Sequence, residues 1–377
     1  MGLAYGGPVT ALVGLSSTQL RSGHDVTVVT TGVGTGIESL DGVPVYRFHA
    51  GPGAWKWSRS LGKGLAELLE SADIVHIHMV WEYTSLVTAR TCQRLAIPYI
   101  LRPCGLLDRW ALDQKPLKKK AYLWLFKRYL IDGASGIHYT TRLEYERSVF
   151  RRLKRESFII PIGLSDAPPT LLGSECDLVA RFPELSGRRI VLFLGRIHPK
   201  KNPEIVISAF ARVAGMHPYA CLLMSGPGER EYLEHLSHFA ESLGLRGRVT
   251  FSGMLERAAV QEAYELSDVF LLPSNLENFG ISVAEAMRAG CPVIVSDQVY
   301  LAPDILEAGA GLVCRLDIDE FASAIAKILG NPHAKQELGE RGRTLAAENY
   351  NWKVISPRLD AIYRDIVEDR RISHEWV

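Results

Sequence analysis

The sequence predicts an α/β protein made of two doubly wound domains that face one another across a cleft. Three observations carry that prediction. Short apolar runs such as DVTVVTTG, DIVHIH, IPYILRP, IVLFLGR, ACLLMSG, DVFLLPS and PVIVSD alternate with longer amphipathic segments, the rhythm of parallel strands covered by helices on both faces. The runs fall into two sets, one ending near residue 165 and one beginning near residue 188. Between them, LSDAPPTLLGSE has the Pro, Gly and Ser content of an interdomain linker. The expected boundaries are a first domain over 1–165, a linker over 166–187 and a second domain over 188–352.

Taken in order, AYGGPVTALVGLSSTQLRSGHDVTVVTTG reads as a Gly-rich loop, a helix with Val9, Leu12, Val13 and Leu20 on or near one face, then a strand. Only five residues precede Gly6, so the strand that normally leads such a unit and lies at the sheet's centre is missing from the pattern. A natural start further upstream is the expectation. Composition fits this architecture: 47% hydrophobic and 23% charged residues exclude disorder, and six cysteines without CxxC or CxxH spacing suggest neither zinc nor a disulfide framework. No apolar run approaches the ~18 residues of a membrane span, and no signal peptide is evident. A reducing, cytoplasmic setting is expected.

Charge is balanced overall at +1, yet residues 115–155 hold 12 Lys/Arg against 3 Asp/Glu. Within them, KPLKKKAYLWLFKRYL (115–130) interleaves lysines with Leu117, Trp124, Leu125 and Phe126, the combination a bilayer surface contact needs. An ordinary core-facing helix with a solvated basic side fits the pattern equally well. No nucleic-acid module accompanies the patch, so nucleic acid is not an expected partner.

The most informative stretch is PSNLENFGISVAEAMRAGCPVIVSD (273–297). Glu277 lies just before a helix opened by Gly280 and Glu285 on its second turn, so both can face one ligand, while Asn278, Phe279, Gly280, Ile281 and Ser282 offer backbone N–H groups and the positive end of the helix dipole. Upstream, Arg196 and Lys201 leave the carboxyl end of the run IVLFLGR. Both are expected at the same strand-end edge, where they would neutralise a diphosphate from a second side.

Together with GRIHPKKN (195–202), SGPGERE (225–231), VTFSGML (249–255), ADIVHIH (72–78) and GGP (6–8), the Glu277-x7-Glu285 element with its ENFG core resembles the retaining glycosyltransferases of family four, which have the GT-B fold of two Rossmann-like domains. The resemblance spans nearly the whole chain and is strongest in its second half; IPIGLS departs from the family at the hinge. It implies that Arg196 and Lys201 hold the donor diphosphate in place of a divalent metal, so no metal or other cofactor is expected. Glu277 would bind hydroxyls of the donor sugar, Glu285 the ribose, Met254 or Leu255 and the Gly226 loop would border the base, and Gly7 would approach the phosphate. His78 would stand beside the transferred sugar; His76 shares its strand parity, and the position nearest the carboxyl end favours His78. Asp108, in RPCGLLDRWAL, would touch the acceptor. A last helix, 353–377, would cross back to the first domain.

The implied reaction is metal-independent, retaining transfer of a hexose from a nucleotide sugar, a UDP-glucose type first and GDP-mannose next, to a lipid-linked or polysaccharide acceptor at the inner face of a membrane. A nucleotide-sugar epimerase of the same fold and a non-catalytic nucleotide-sugar-binding subunit are the competing classes. Asp317-x-Asp319, which imitates a metal-binding pair, is expected instead to start a helix.

Overall fold

The computed structural model describes residues 7–53, 55–151, 156–164 and 178–372. In chain order its elements are α1 (Gly7–Arg21), β1 (Val28–Gly32), β2 (Gly36–Leu40), β3 (Val43–His49), α2 (Leu61–Leu69), β4 (Val75–His78), α3 (Tyr83–Leu95), β5 (Tyr99–Arg102), α4 (Arg109–Asp113), α5 (Pro116–Leu130), β6 (Gly136–Tyr139), α6 (Arg142–Arg147) and β7 (Ser157–Ile159). They continue with α7 (Leu178–Arg181), β8 (Arg189–Leu194), α8 (Pro203–Ala214), β9 (Ala220–Ser225), α9 (Arg230–Ser242), β10 (Val249–Gly253), α10 (Arg257–Leu266), β11 (Ser267–Leu272), α11 (Ile281–Ala289), β12 (Val293–Ser296), α12 (Ala302–Glu307), β13 (Gly311–Cys314), α13 (Ile318–Gly330), α14 (Pro332–Asn349) and α15 (Trp352–Val367). The chain divides into two compact units, Met1–Gly163 with Trp352–Val377, and Leu164–Asn351.

The second unit is built on one six-stranded, wholly parallel sheet of order β10-β9-β8-β11-β12-β13. Its strands β9, β11 and β12 are buried at every position, which is why ACLLMS, SDVFLL and VIVS read as continuous rather than alternating apolar runs. Residues 178–185, within the stretch expected as linker, form α7 and a 3₁₀ turn of this unit: Leu178 is buried, and its N–H donates to the Glu262 carboxylate at 2.9 Å. Residues 166–177 of that linker lie outside the described residues.

The first unit carries two sheets. One is parallel throughout, in the order β4-β5-β6-β7; the other has the order β1-β3-β2, with β2 antiparallel to β3. The hairpin between β2 and β3 turns at Asp41 and Gly42, both at positive φ (49° and 85°), the Asp-Gly conformation that fits strand twist. Residues ahead of Gly7 lie outside the described ones, and no ladder joins β1 to β4 among those described. The GGP segment is not a loop at its second glycine: Gly7 is the first residue of α1, with Pro8 in the opening turn, where its fixed φ and missing N–H cost nothing. The core gathers Leu61, Leu65, Ile77, Leu86, Leu101 and Ile137 from α2, β4, α3, β5 and β6. Helix α15 joins this unit by laying Trp352 over two glycines. A Cβ on Gly14 would sit 2.6 Å from the indole, and one on Gly163 2.2 Å.

Candidate active site

In the second unit, three neighbouring parallel strands end on glycines at positive φ: Gly195 after β8 (150°), Gly226 after β9 (133°) and Gly253 closing β10 (69°). The Gly195 N–H donates to the Ser225 carbonyl at 2.9 Å and the Gly226 N–H to the Gly253 carbonyl at 2.8 Å. A Cβ on Gly226 would lie 1.9 Å from the Gly195 oxygen, so no side chain fits there. The carboxyl edge of the sheet is a ledge of bare backbone at the place where parallel α/β sheets bind ligands.

Arg196 follows that ledge, exposed, and its guanidinium enters no described hydrogen bond or ion pair. Lys201 closes a 3₁₀ turn, Pro199–Lys201, capped by His198, and Asn202 ties the turn to the loop after β11 by donating to the Pro273 carbonyl at 2.7 Å. The Lys201 ammonium meets the Glu277 carboxylate at 2.9 Å. The two sequence motifs are thus one partly exposed ion pair.

Helix α11 begins beside that pair. Gly280, its N-cap, has φ 84°, so the reason for glycine here is the left-handed conformation itself. Among the described residues, the N–H groups of Phe279, Gly280, Ile281 and Ser282 donate to no protein acceptor. Phe279 contributes backbone alone, because its ring is buried edge-on against Tyr350 at 5.3 Å. Glu285 sits one turn on and accepts a hydrogen bond from the Tyr264 hydroxyl at 3.3 Å. Burial pushes its carboxyl above the usual range, opposed by Arg288, Arg257 and that hydrogen bond. Of the two residues expected to border the base, Met254 exposes its side chain and Leu255 buries it.

In the first unit His76 and His78 stack at the end of β4, rings 4.6 Å apart, but they are wired differently. His138 Nε2 lies 2.7 Å from the Ile160 carbonyl, so it carries the proton and Nδ1 is the acceptor. His76 Nε2 then donates to His138 Nδ1 at 3.2 Å, and the Tyr363 hydroxyl of α15 donates to His76 Nδ1 at 2.7 Å. His76 is fully committed to this relay. His78 makes no described hydrogen bond, which separates the two histidines where sequence parity could not. Burial, and after it Arg102, holds His78 neutral; the same causes push His138 down to about 3.

Asp108, expected to touch an acceptor, is buried, and its carboxylate accepts the Trp110 N–H at 2.6 Å as the N-cap of α4. Asp317 does start a helix, accepting the N–H groups of Asp319 and Glu320 at the head of α13. Among the described residues no group of three or more His, Cys, Asp and Glu stands in metal-binding proximity. Gly7, His78 and Asp108 belong to the first unit, and the remaining candidates to the second, where they share one sheet edge. Arg102, His138 and Tyr363 are not readable as a group from sequence, because three separate elements bring them together.

Residues 178–345 match the model of glycosyl transferases group 1, and residues 6–163 that of the glycosyl transferase 4-like domain. The chain is a family-four glycosyltransferase. It is 26% identical over 390 residues to an uncharacterized glycosyltransferase of Methanocaldococcus jannaschii, covering 96% of this chain and 95% of that one. It is also 28% identical over 190 residues to D-inositol 3-phosphate glycosyltransferase 2 of Catenulispora acidiphila, a match to 48% of this chain and 44% of that one. Among solved structures it resembles HepE of Anabaena in complex with UDP and glucose, with a TM-score of 0.76 at 17% identity over 96% of each chain. The fold of this glycosyltransferase is GT-B.

Proposed function

We propose that this glycosyltransferase moves a hexose from a uridine diphosphate sugar to a lipid-linked or polysaccharide acceptor, with retention and without a metal. One observation carries the donor half: the Lys201–Glu277 pair and the free N–H groups of α11 stand on one side of a bare glycine ledge, with Arg196 uncommitted beside it. Arg196 and Lys201 balance the diphosphate, and the α11 amides take its oxygens, so charge developing on the leaving group meets groups already in place. Glu277 holds donor hydroxyls and Glu285 the ribose. The leaving phosphate itself takes the acceptor's proton, and His78 of the first unit is held neutral. Uridine is placed before guanosine because HepE, similar over the whole chain, was solved with UDP.

Helix α5 supports a membrane-held acceptor. It turns Tyr122, Leu123 and Phe126 toward the core and leaves Leu117 (81%), Trp124 (84%) and Leu125 (50%) exposed. Lys118, Lys120 and Arg128 flank them. An exposed indole amid lysines fits an anionic bilayer surface. No helix of the described residues is long and apolar enough to cross a membrane.

Titration calorimetry of UDP, GDP and ADP, with chelator present and Arg196→Ala alongside, tests the donor site. The expected outcome is tightest binding of UDP, unaffected by chelator and weakened at least tenfold in the variant. Tighter binding of GDP, or dependence on added metal, overturns the corresponding part of the proposal.

A further inference from the structure

Arg102 closes β5 and is only 4% exposed, yet among the described residues its guanidinium makes no hydrogen bond and no ion pair, and its Nε is wholly shut off from solvent without a partner. Arginine is almost never buried unless paired, because an uncompensated buried charge is among the costliest features a fold can carry. The neighbour that could satisfy it does not. Glu144, also buried, spends one oxygen on the Gly105 N–H at 2.5 Å and the other on the Thr140 N–H and hydroxyl, both at 2.7 Å. Its charge offsets that of Arg102 at a distance and leaves the guanidinium's donors unused.

The surroundings are those of a site. His78 is the register partner of Arg102 across the β4–β5 ladder, so the two side chains leave the same face of the sheet at adjacent strand ends. His78 also has no described hydrogen-bond partner. Immediately beyond them the chain is strained twice: Met79 at φ 74° and Cys104 at φ 55° are non-glycine residues in the left-handed region. The Met79 N–H is anchored to the Arg102 carbonyl at 3.0 Å, which fixes the two strand ends relative to one another.

We propose that Arg102, with His78 beside it, is the binding site for an oxyanion, a phosphate or a carboxylate, carried by the acceptor. A guanidinium presents a planar fork of donors that matches either group, and the imidazole adds one more donor or acceptor at the same edge. That the anion belongs to the acceptor rests on the glycosyltransferase reading given above; that the site takes an anion rests on Arg102 alone. The acceptor is then a phosphorylated or uronic-acid-bearing molecule, and a neutral sugar is a poor substitute.

The test is a calorimetric titration of glucose 1-phosphate, and in a second arm of glucuronic acid, into the full chain saturated with UDP so that the nucleotide's own phosphate site is filled. The imidazole resonances of His78 are followed in parallel. Expected are binding of at least one probe with a shift of the His78 signals, a loss of tenfold or more in Arg102→Gln, partial retention in Arg102→Lys, and UDP affinity within twofold of the parent in both variants. The arm that binds more tightly tells phosphate from carboxylate. Equal probe binding in Arg102→Gln, or no binding of either probe to the UDP-loaded chain, overturns the proposal. If UDP itself does not bind, the donor site fails, and the same titration in an Arg196→Ala background still scores Arg102. A melting temperature for each variant guards against reading misfolding as lost affinity.

Discussion

Glu285 shows how one buried group sets a measurable property of the donor site. Its carboxyl is raised by burial and holds the Tyr264 hydroxyl, yet only its ionised form can accept from two ribose hydroxyls at once. Nucleotide affinity is therefore full above the raised value and falls as pH is lowered through it. Glu285→Gln is expected to weaken UDP binding by about 10- to 100-fold, the ~1.5–3 kcal/mol of a charge-assisted hydrogen bond, and to flatten the pH dependence. Calorimetry between pH 7.5 and 5 checks both, and an unchanged slope in the variant assigns the titration elsewhere. Gly226 is the second test at this scale. With its missing Cβ position 1.9 Å from backbone oxygen, Gly226→Ala has no soft neighbour to displace, so the strand ends themselves must shift. A loss of about 2 kcal/mol or more in denaturant unfolding is expected, with UDP binding impaired because the ledge moves. The need for glycine at 226 and 280 is visible in sequence only as identity. Close backbone approach and left-handed φ are its two distinct causes.

At the level of elements, what the sequence conveyed depended on whether the signal was local. Strands β8, β9, β11 and β12 each carry an unbroken apolar run because both faces are covered, and a run of that kind can be read without knowing its neighbours. The start of α11 was equally legible, since ENFG places its glycine directly at the cap. The β2–β3 hairpin escaped that reading although Asp41-Gly42 is a strong local turn signal, because β2 is largely exposed and carries no apolar run. The relay from Tyr363 through His76 to His138 depends on the register of β4, β5 and β6 and the docking of α15, none of which a single sequence prints. Helix α5 is the intermediate case. Its pattern allowed a core face or a membrane face, and the structure has both: Tyr122 and Phe126 pack inward while Leu117, Trp124 and Leu125 stay in water. Replacing those three by serine should leave the melting temperature within about 2 °C, as exposed positions do, and abolish sedimentation with anionic vesicles. Lys118→Glu with Lys120→Glu should do the same while making any residual binding independent of salt. Vesicle binding that survives both variants places the membrane contact on another surface.

Acid should act in opposite directions on the two units. In the first, His76, His78 and His138 are held neutral below the usual histidine value, by burial first, with Arg102 acting on all three. The unfolded chain takes up these protons near pH 6.5 and the folded unit does not, so stability is full above ~6.5 and is lost as pH falls from there toward the folded values, about 3 for His138. Each such histidine costs up to about 1.4 kcal/mol per pH unit in that window. Glu144 in the same unit is raised by burial and gives a little stability back, but only as pH approaches the carboxylate range. The second unit has no comparable histidine cluster among its described residues. Its buried shifted acids, Glu285 and Asp304, are raised by burial, so at both the folded form takes protons first and stability is gained as pH falls through their raised values; the partly exposed Glu320, lowered by its hydrogen bonds to Arg315, works the other way at the surface. Scanning calorimetry at pH 7.5 and 5.5 is expected to show the transition of the first unit falling by on the order of 10 °C while that of the second holds or rises, so that a single endotherm separates into two. His138→Gln keeps a hydrogen-bonding side chain that cannot take up a proton there, and should return roughly a third of the drop, the share of one histidine in three. A parallel fall of both transitions, or a drop indifferent to His138, would show that the cluster under β4 is not what makes this unit sensitive to acid.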